Sequence, residues 1–386
     1  MLVRLRPGLS RVWRGPQTVQ IGLTPGRAAV LDGLTPDDAR LIEQLNLGLD
    51  VRELDAGHVP PGPARGREIL GLLAEAGVLL TTRTGRAALA RLGTARERLA
   101  PDAAAWALSD PDHGDAWQLV EARAGRRVHV VGTGRTANAL ATCLAAAGVD
   151  VSAEQAGTVT PADVCPLGPS QEDLGRSRQQ VTGWRIAQAR DLPSSRRDAS
   201  RLPDVVVLVS RSAADAAASV DLHAREIAHL SVVSREADII VGPLVRPGHG
   251  PCLHCLDLHR CDRDPRWAHV LAQLLSAEHQ RSAVSTEEVS LSAIAGALAA
   301  LQVLAELDGR TSPAALGATL EVELPDGLVC HRPWPTHPAC ACSTLPTRLP
   351  PAGLLAGSPV VPPFAPPAPG RAPGARSPHR PATMDT

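Results

Sequence analysis

The sequence predicts an α/β protein built on a parallel sheet, with a small winged-helix-like module ahead of it and a disordered Pro-rich tail behind. Three observations carry this. Asp204-Val-Val-Val-Leu-Val-Ser210 is a near-continuous apolar run of the kind that a sheet covered on both faces requires. Arg127-Val-His-Val-Val131 leads straight into Gly132-Thr-Gly134 and then into a helical stretch, a strand, tight turn and helix in succession. Before these, short strand-like pieces and two helices fill about ninety residues with turn residues between them.

In chain order, residues 1–90 form the first unit. Strands are expected around Val12–Arg14, Thr18–Leu23 and Ala28–Leu31, divided by Pro25-Gly26 and Asp32-Gly33. Thr35 before Pro36-Asp37-Asp38 is an N-cap, with proline at the first helical position and acids in the first turn. The helix Asp37–Leu45 follows, then a helix over Arg67–Ala76, and Val78–Leu80 closes the unit. Residues 91–125 are polar and Ala-rich and read as a connector with helical character.

Residues 126–344 form the larger α/β unit. After the glycine turn a helix runs from Thr136 to Ala147, with Gly148 placed to cap it. Further strands are expected at Asp204–Ser210, His229–Val233 and Asp238–Val241. Leu291–Leu307 is apolar but Ala-rich, contains Gln302, and falls short of the ~20 residues of a membrane span, so a buried helix is expected. The tail, 345–386, is dense in Pro, Ala and Gly without periodicity and is expected to be disordered.

Bulk properties exclude more than they assign. The formal net charge is -1, which offers no global field to nucleic acid or to an anionic membrane. All 39 basic residues are arginines, so no chemistry here can rest on a lysine. The first residues lack the apolar run of a signal peptide. A cytoplasmic, reducing setting is therefore expected, in which cysteines serve as metal ligands or free thiols.

Two constellations could carry chemistry. Gly132-Thr-Gly134-Arg135-Thr-Ala137 sits where a Rossmann-like fold holds phosphate: glycines allow the turn and a close backbone approach, and the helix N-terminus offers free N–H groups. Glu154, 22 residues after Gly132, is placed for a ribose hydroxyl, with Asp150 as a second candidate. The blander reading is that any such sheet needs a tight turn here. The other constellation is Cys252-Leu-His-Cys255 with Cys340-Ala-Cys342. Two couplets give four thiolates to one tetrahedral zinc, and a site filled by four sulfurs is structural. The run His259–Trp267 between them alternates in charge, a solvated surface or a partner contact. No G-x-S-x-G, H-E-x-x-H or Walker A sequence occurs.

The order of GTGRTA, DVVVLVS, GPLVRPGHGPCLHCLDLH, an Ala/Leu-rich helix and RPWPTHPACAC resembles the ThiF/E1-like superfamily. More narrowly it resembles the branch associated with azole- and azoline-forming bacteriocin cyclodehydration, whose N-terminal module clamps a leader peptide. The opening RPGLSRVWRGPQTVQIGL is similar to that module. The resemblance spans residues 5 to 343 and implies ATP- and magnesium-dependent adenylation of a carboxyl terminus, as in activation of ubiquitin-like modifiers. It also implies a peptide or small-protein substrate, a separate modifying enzyme, and the homodimer usual in the family, on which the residues themselves are silent.

The charged positions depart from the family pattern. Arg178 stands where the resemblance puts a catalytic lysine, and an arginine is no simple substitute for a compact ammonium. Ser210-Arg-Ser-Ala, with Asp215 beyond it, stands where the family places a magnesium-binding aspartate. No cysteine occupies a thioester-forming position after the first couplet. The nucleotide contacts that remain are Gly132, Gly134, Arg135, Glu154 and Arg178. Electrostatic groups are what phosphoryl and acyl transfer depend on. The resemblance therefore implies a recognition or scaffolding protein, with an active adenylyltransferase as the alternative.

Overall fold

The computed structural model describes residues 2–25, 28–82, 90–109, 116–190, 201–276 and 285–343. Turns early in the chain divide five short strands: β1 (Leu2–Leu5), β2 (Arg11–Gly15), β3 (Thr18–Ile21), β4 (Ala29–Leu31) and β5 (Leu49–Asp50). Strand β6 (Leu79–Thr82) pairs with β1, giving two three-stranded sheets ordered β5-β1-β6 and β2-β3-β4. Strand β1 and the short helix α2 (Val51–Asp55) were not anticipated from the sequence. Helix α1 (Pro36–Leu47) starts at the Thr35 cap: the Asp38 N–H donates to Thr35 Oγ1 at 3.2 Å, and the Thr35 N–H donates back to the Asp38 carboxylate at 2.9 Å. With α3 (Pro63–Glu75) it covers a hydrophobic cluster of its own, including Ile21, Leu41, Ile42, Leu45, Ile69 and Leu73.

The connector is helical, as α4 (Ala95–Ser109) and α5 (Trp117–Ala122). Small apolar clusters, one around Leu92, Leu99 and Val120 and one around Ala107 and Leu119, hold it together, and three arginines fasten it to the rest. Arg6 donates to the Gly77 and Ala107 carbonyls, tying the first unit to α4. Arg98 donates to the carbonyls of Ala146 and Arg190, at the ends of two later helices where orphan carbonyls need donors. Arg123, fully buried, forms a two-pronged pair with Asp308 at 3.1 and 2.6 Å under the Trp106 ring.

The large unit is a seven-stranded sheet. Its strands are β7 (Arg127–Val131), β8 (Asp150–Glu154), β9 (Val205–Arg211), β10 (Ala228–Ser234), β11 (Asp238–Val245), β12 (Ala318–Glu323) and β13 (Val329–Pro333), in the order β13-β12-β11-β10-β9-β7-β8. The stretch β8-β7-β9-β10 is parallel, as expected, whereas β10 through β13 pair antiparallel. The sequence could not separate the halves, because β11 is buried along nearly its whole length and reads like a parallel-sheet strand.

Helix α6 (Arg135–Ala146) follows the glycine turn and α7 (Arg178–Arg190) lies beside it. Helix α8 (Ala218–Ala224) precedes β10, and α9 (Leu253–Arg263) with α10 (Trp267–Leu274) follows β11. Helix α11 (Val289–Asp308) is by length and composition apolar enough to cross a membrane, but more than half of it is buried, against α6 and β11. The contact of α11 with α6 is close because Gly296 has no side chain: a Cβ there would lie 2.6 Å from the Ala139 Cβ and 2.9 Å from the Leu140 nitrogen. The expected tail, 345–386, lies outside the described residues.

Candidate functional site

The four cysteines of the two couplets come together. Cys252 caps the start of α9 and Cys255 lies one turn in, while Cys340 and Cys342 arrive on the segment after β13. All four are buried. Sγ separations are 3.9 Å for Cys252–Cys255, 3.7 Å for Cys252–Cys340 and 3.5 Å for Cys255–Cys342, and all four sulfurs lie within 4.8 Å of one another. Four thiolates at ~2.3 Å around one zinc stand about 3.8 Å apart, so the donor set fits a tetrahedral metal. Burial pushes the Cys252 thiol well above its ordinary range and, with hydrogen bonds from its neighbours, holds Cys342 at about 11. Cys255 moves down: burial opposes its charge too, but backbone groups of His337 and Cys252 outweigh it. A cation bound by these four sulfurs would displace their protons.

The charged run between the couplets turns out to hold them together. Arg260 stacks over Trp267 at 5.1 Å and over Trp334 at 5.9 Å, and Arg263 over Trp334 at 5.4 Å. His337 Nε2 meets Asp262 at 2.9 Å, and its Nδ1 accepts the Ala339 N–H at 3.1 Å. His259 meets the Pro335 carbonyl at 3.0 Å. Cys261, Cys330, Cys143 and Cys165 stand outside the cluster.

The glycine turn opens on a cleft of about 190 Å³, lined among others by Gly134, Asp163, Arg178, Arg211 and Glu287. Gly132 (φ 122°) and Gly134 (φ 112°) both adopt backbone that glycine alone takes easily. At the N-terminus of α6 sits the Glu287 carboxylate. The Arg135 N–H donates to its Oε2 and the Thr136 N–H to its Oε1, each at 3.1 Å. Arg135 Nη1 donates to the Glu287 carbonyl at 3.0 Å, so this side chain is engaged within the chain. Arg178 lies in the cleft but pairs with Asp163 at 2.8 Å and donates to the Ala156 carbonyl. Burial works against the charge of Asp163, yet Arg178 and the Thr160 donors hold its carboxyl below the ordinary range. Glu154 ends β8 with a largely exposed side chain, 3.7 Å from His129. Asp150 begins that strand, buried between Arg190 and Arg127, at the wrong end for a ribose.

One group in this cleft escaped the sequence reading: Glu287, which lines it together with Arg211, the arginine of the Ser210-Arg-Ser-Ala stretch at the end of β9. The only trace of Glu287 was Glu287-Glu288 ahead of an apolar helix, a capping signal that served two helices: Glu288 caps α11 itself, accepting from Leu291. Beside the cleft, Ser212 takes a left-handed conformation (φ 67°) and lines a second cavity of about 190 Å³ between the antiparallel strands and α9.

No protein-family model matches the sequence, and no curated protein matches it. Solved structures do. E. coli MccB with succinimide superposes with a TM-score of 0.64 at 13% identity, covering 90% of this chain and 100% of MccB. The microcin C7 biosynthetic enzyme MccB in complex with N-formylated MccA gives 0.64 at 13% identity, covering 89% and 100%. PaaA gives 0.61 at 14% identity, covering 84% and 98%. The chain has the ThiF/E1-like fold. At these identities the likeness speaks for the fold alone, one shared with a microcin C7 biosynthetic enzyme, and the cysteine knuckle and glycine-turn cleft are features of this chain in its own right.

Proposed function

We propose that this chain is a zinc-stabilised peptide- or protein-recognition protein with a degraded ThiF/E1-like cleft. It acts as partner or scaffold in peptide modification of the bacteriocin cyclodehydration type, while a separate enzyme does the chemistry. One observation carries the reading: both carboxylates lining the cleft are committed, Asp163 to Arg178 and Glu287 to the helix N-terminus, and Arg211 stands among them. Magnesium needs free oxygen ligands, and these are spoken for. The cleft, about 190 Å³ among the described residues, is also smaller than the ~300–1,000 Å³ of ordinary small-molecule sites.

Recognition is assigned to residues 1–90, which hold a leader peptide as an added strand. Main-chain hydrogen bonds supply affinity in that mode. The sheet β2-β3-β4 ends in two outer strands, and Val12, Trp13 and Val30 on them are substantially exposed. That MccB is seen with the MccA peptide supports a peptide partner. The knuckle is given a structural zinc held by Cys252, Cys255, Cys340 and Cys342.

A second reading, an active ATP-dependent adenylyltransferase, draws support from the exposed Glu154 at the end of β8, whose carbonyl accepts from the Gly132 N–H, and from MccB having been seen with ATP. Calorimetric titration of ATP into zinc-loaded protein, with and without magnesium, separates the two. Recognition predicts no magnesium-dependent heat at millimolar ATP. Clear magnesium-dependent binding overturns it in favour of the adenylyltransferase, with Glu154 on the ribose and Arg178 on the developing charge.

A further inference from the structure

We infer that Glu287 is a built-in occupant of the anion site at the glycine turn, an internal carboxylate that bars phosphate from the N-terminus of α6. This deepens the reading of a degraded cleft and rests on it. The N-terminus of a twelve-residue helix presents unpaired N–H groups and partial positive charge, which favour an anion. Here the carboxylate takes two of those donors, one per oxygen, from 152 and 151 residues away in the chain. Ser234 Oγ approaches the same carboxylate at 3.4 Å. The residue is buried, 6% exposed.

The glycine turn is shaped around this group. A Cβ on Gly134 would stand 2.0 Å from Glu287 Oε2 and 2.8 Å from its Cδ. Sequence alone reads Gly134 as room for a ligand's phosphate, whereas here the room is filled by a side chain. Arg135 completes the clasp: its backbone N–H holds the carboxylate and its guanidinium holds the carbonyl of the same residue. The neighbouring Glu288 caps α11. Two consecutive glutamates thus close the N-termini of two packed helices. A phosphate reaching the turn would meet a fixed negative charge with its donors already taken. The carboxylate must leave first.

Inorganic pyrophosphate is the probe, titrated calorimetrically into full-length, zinc-loaded wild type and Glu287→Ala. The inference expects the variant to bind at least about ten-fold more tightly than wild type, since a like charge is removed and two N–H groups are freed. A folded Glu287→Ala variant that gains no pyrophosphate affinity overturns it, as does wild type binding equally well. Should Glu287→Ala fail to fold, Glu287→Gln keeps the shape and drops the charge. It should bind about three-fold more tightly than wild type, and no gain there also overturns the inference. The recognition reading is judged separately. Magnesium-dependent ATP binding by wild type defeats that reading, while an inert Glu287→Ala beside a nucleotide-blind wild type defeats only the latch.

Discussion

The cysteine knuckle and the glycine-turn cleft are the two places where ligand chemistry was expected, and their charges are arranged in opposite ways. At the knuckle four sulfurs face one another within 4.8 Å. As thiolates they would repel one another, and a shared cation would offset that repulsion. In the cleft each of the main charged groups is answered from within: Arg178 by Asp163, and the helix N-terminus by Glu287. A site kept for an outside partner retains unmet valence, whereas one given over to the fold closes its own hydrogen bonds. The glycine turn that looks most like a nucleotide site is the more self-contained of the two.

The largest expected effect tests the knuckle. Cys340→Ser should drop bound zinc from about one per chain to near none and lower the melting temperature markedly, because structural zinc contributes on the order of 10 kcal/mol of apparent binding energy in small zinc modules. Only part of that reaches a unit whose sheet has its own core. Zinc quantification and thermal unfolding are the measurements. A variant with full zinc content and an unchanged melt would break the comparison. Acid should act in the same direction, since protons compete for thiols that burial already holds high, Cys342 at about 11. Zinc retention therefore falls as pH falls.

How much was legible follows from where each feature's partners lie in the chain. The Cys252/Cys255 and Cys340/Cys342 couplets carry their spacing locally, and two such couplets are the pattern of a four-sulfur metal site. Strand β9 and helix α6 were readable from short patterns within a few residues of their observed ends. Glu287 was not, because its hydrogen bonds cross some 150 residues and depend on how α11 meets α6. The antiparallel half of the sheet was hidden for a related reason, since burial erased the alternation that marks such strands. The His259–Trp267 run looked like solvated charge because its aromatic and proline partners, Trp334 and Pro335, arrive from beyond α11.

A smaller effect sharpens the cleft side. Gly296→Ala places a Cβ 2.6 Å from Ala139 and within 3.1 Å of backbone atoms of Leu140 and Thr136, so helices rather than flexible side chains must move. Overpacking of this kind costs about 1–3 kcal/mol, and the better helix propensity of alanine returns up to about 1 kcal/mol. Net destabilisation of about 1–2 kcal/mol is expected in thermal or denaturant unfolding. Since the shift spreads α6 from α11, the Glu287 clasp should loosen, and pyrophosphate affinity should rise in the same variant. A stabilised Gly296→Ala protein would mean that α6 and α11 are not held at this distance and that the clasp is not set by their packing.

The smallest effect concerns the loop that carries Asp163 and leads into α7. Asp173 there accepts from the Ser170 N–H and hydroxyl and pairs with Arg185 at 2.9 Å. The Ser170 N–H first, then Arg185, lowers its carboxyl to about 2. A folded-state value below the unfolded ~3.9 means stability present above about pH 4 and lost as pH falls toward 2. Arg176, the outer partner, is well exposed, so screening trims the contribution to roughly 1 kcal/mol. Asp173→Asn should lower stability by about that much at neutral pH, and the gap from wild type should close as pH drops from 4 to 2. A gap that stays constant across that range would show that the charge of Asp173 contributes nothing. If this loop's ions serve the fold, ATP titrations of the two proteins should coincide at pH 7; a changed nucleotide response would move Asp173 from the frame of the cleft to its ligand chemistry.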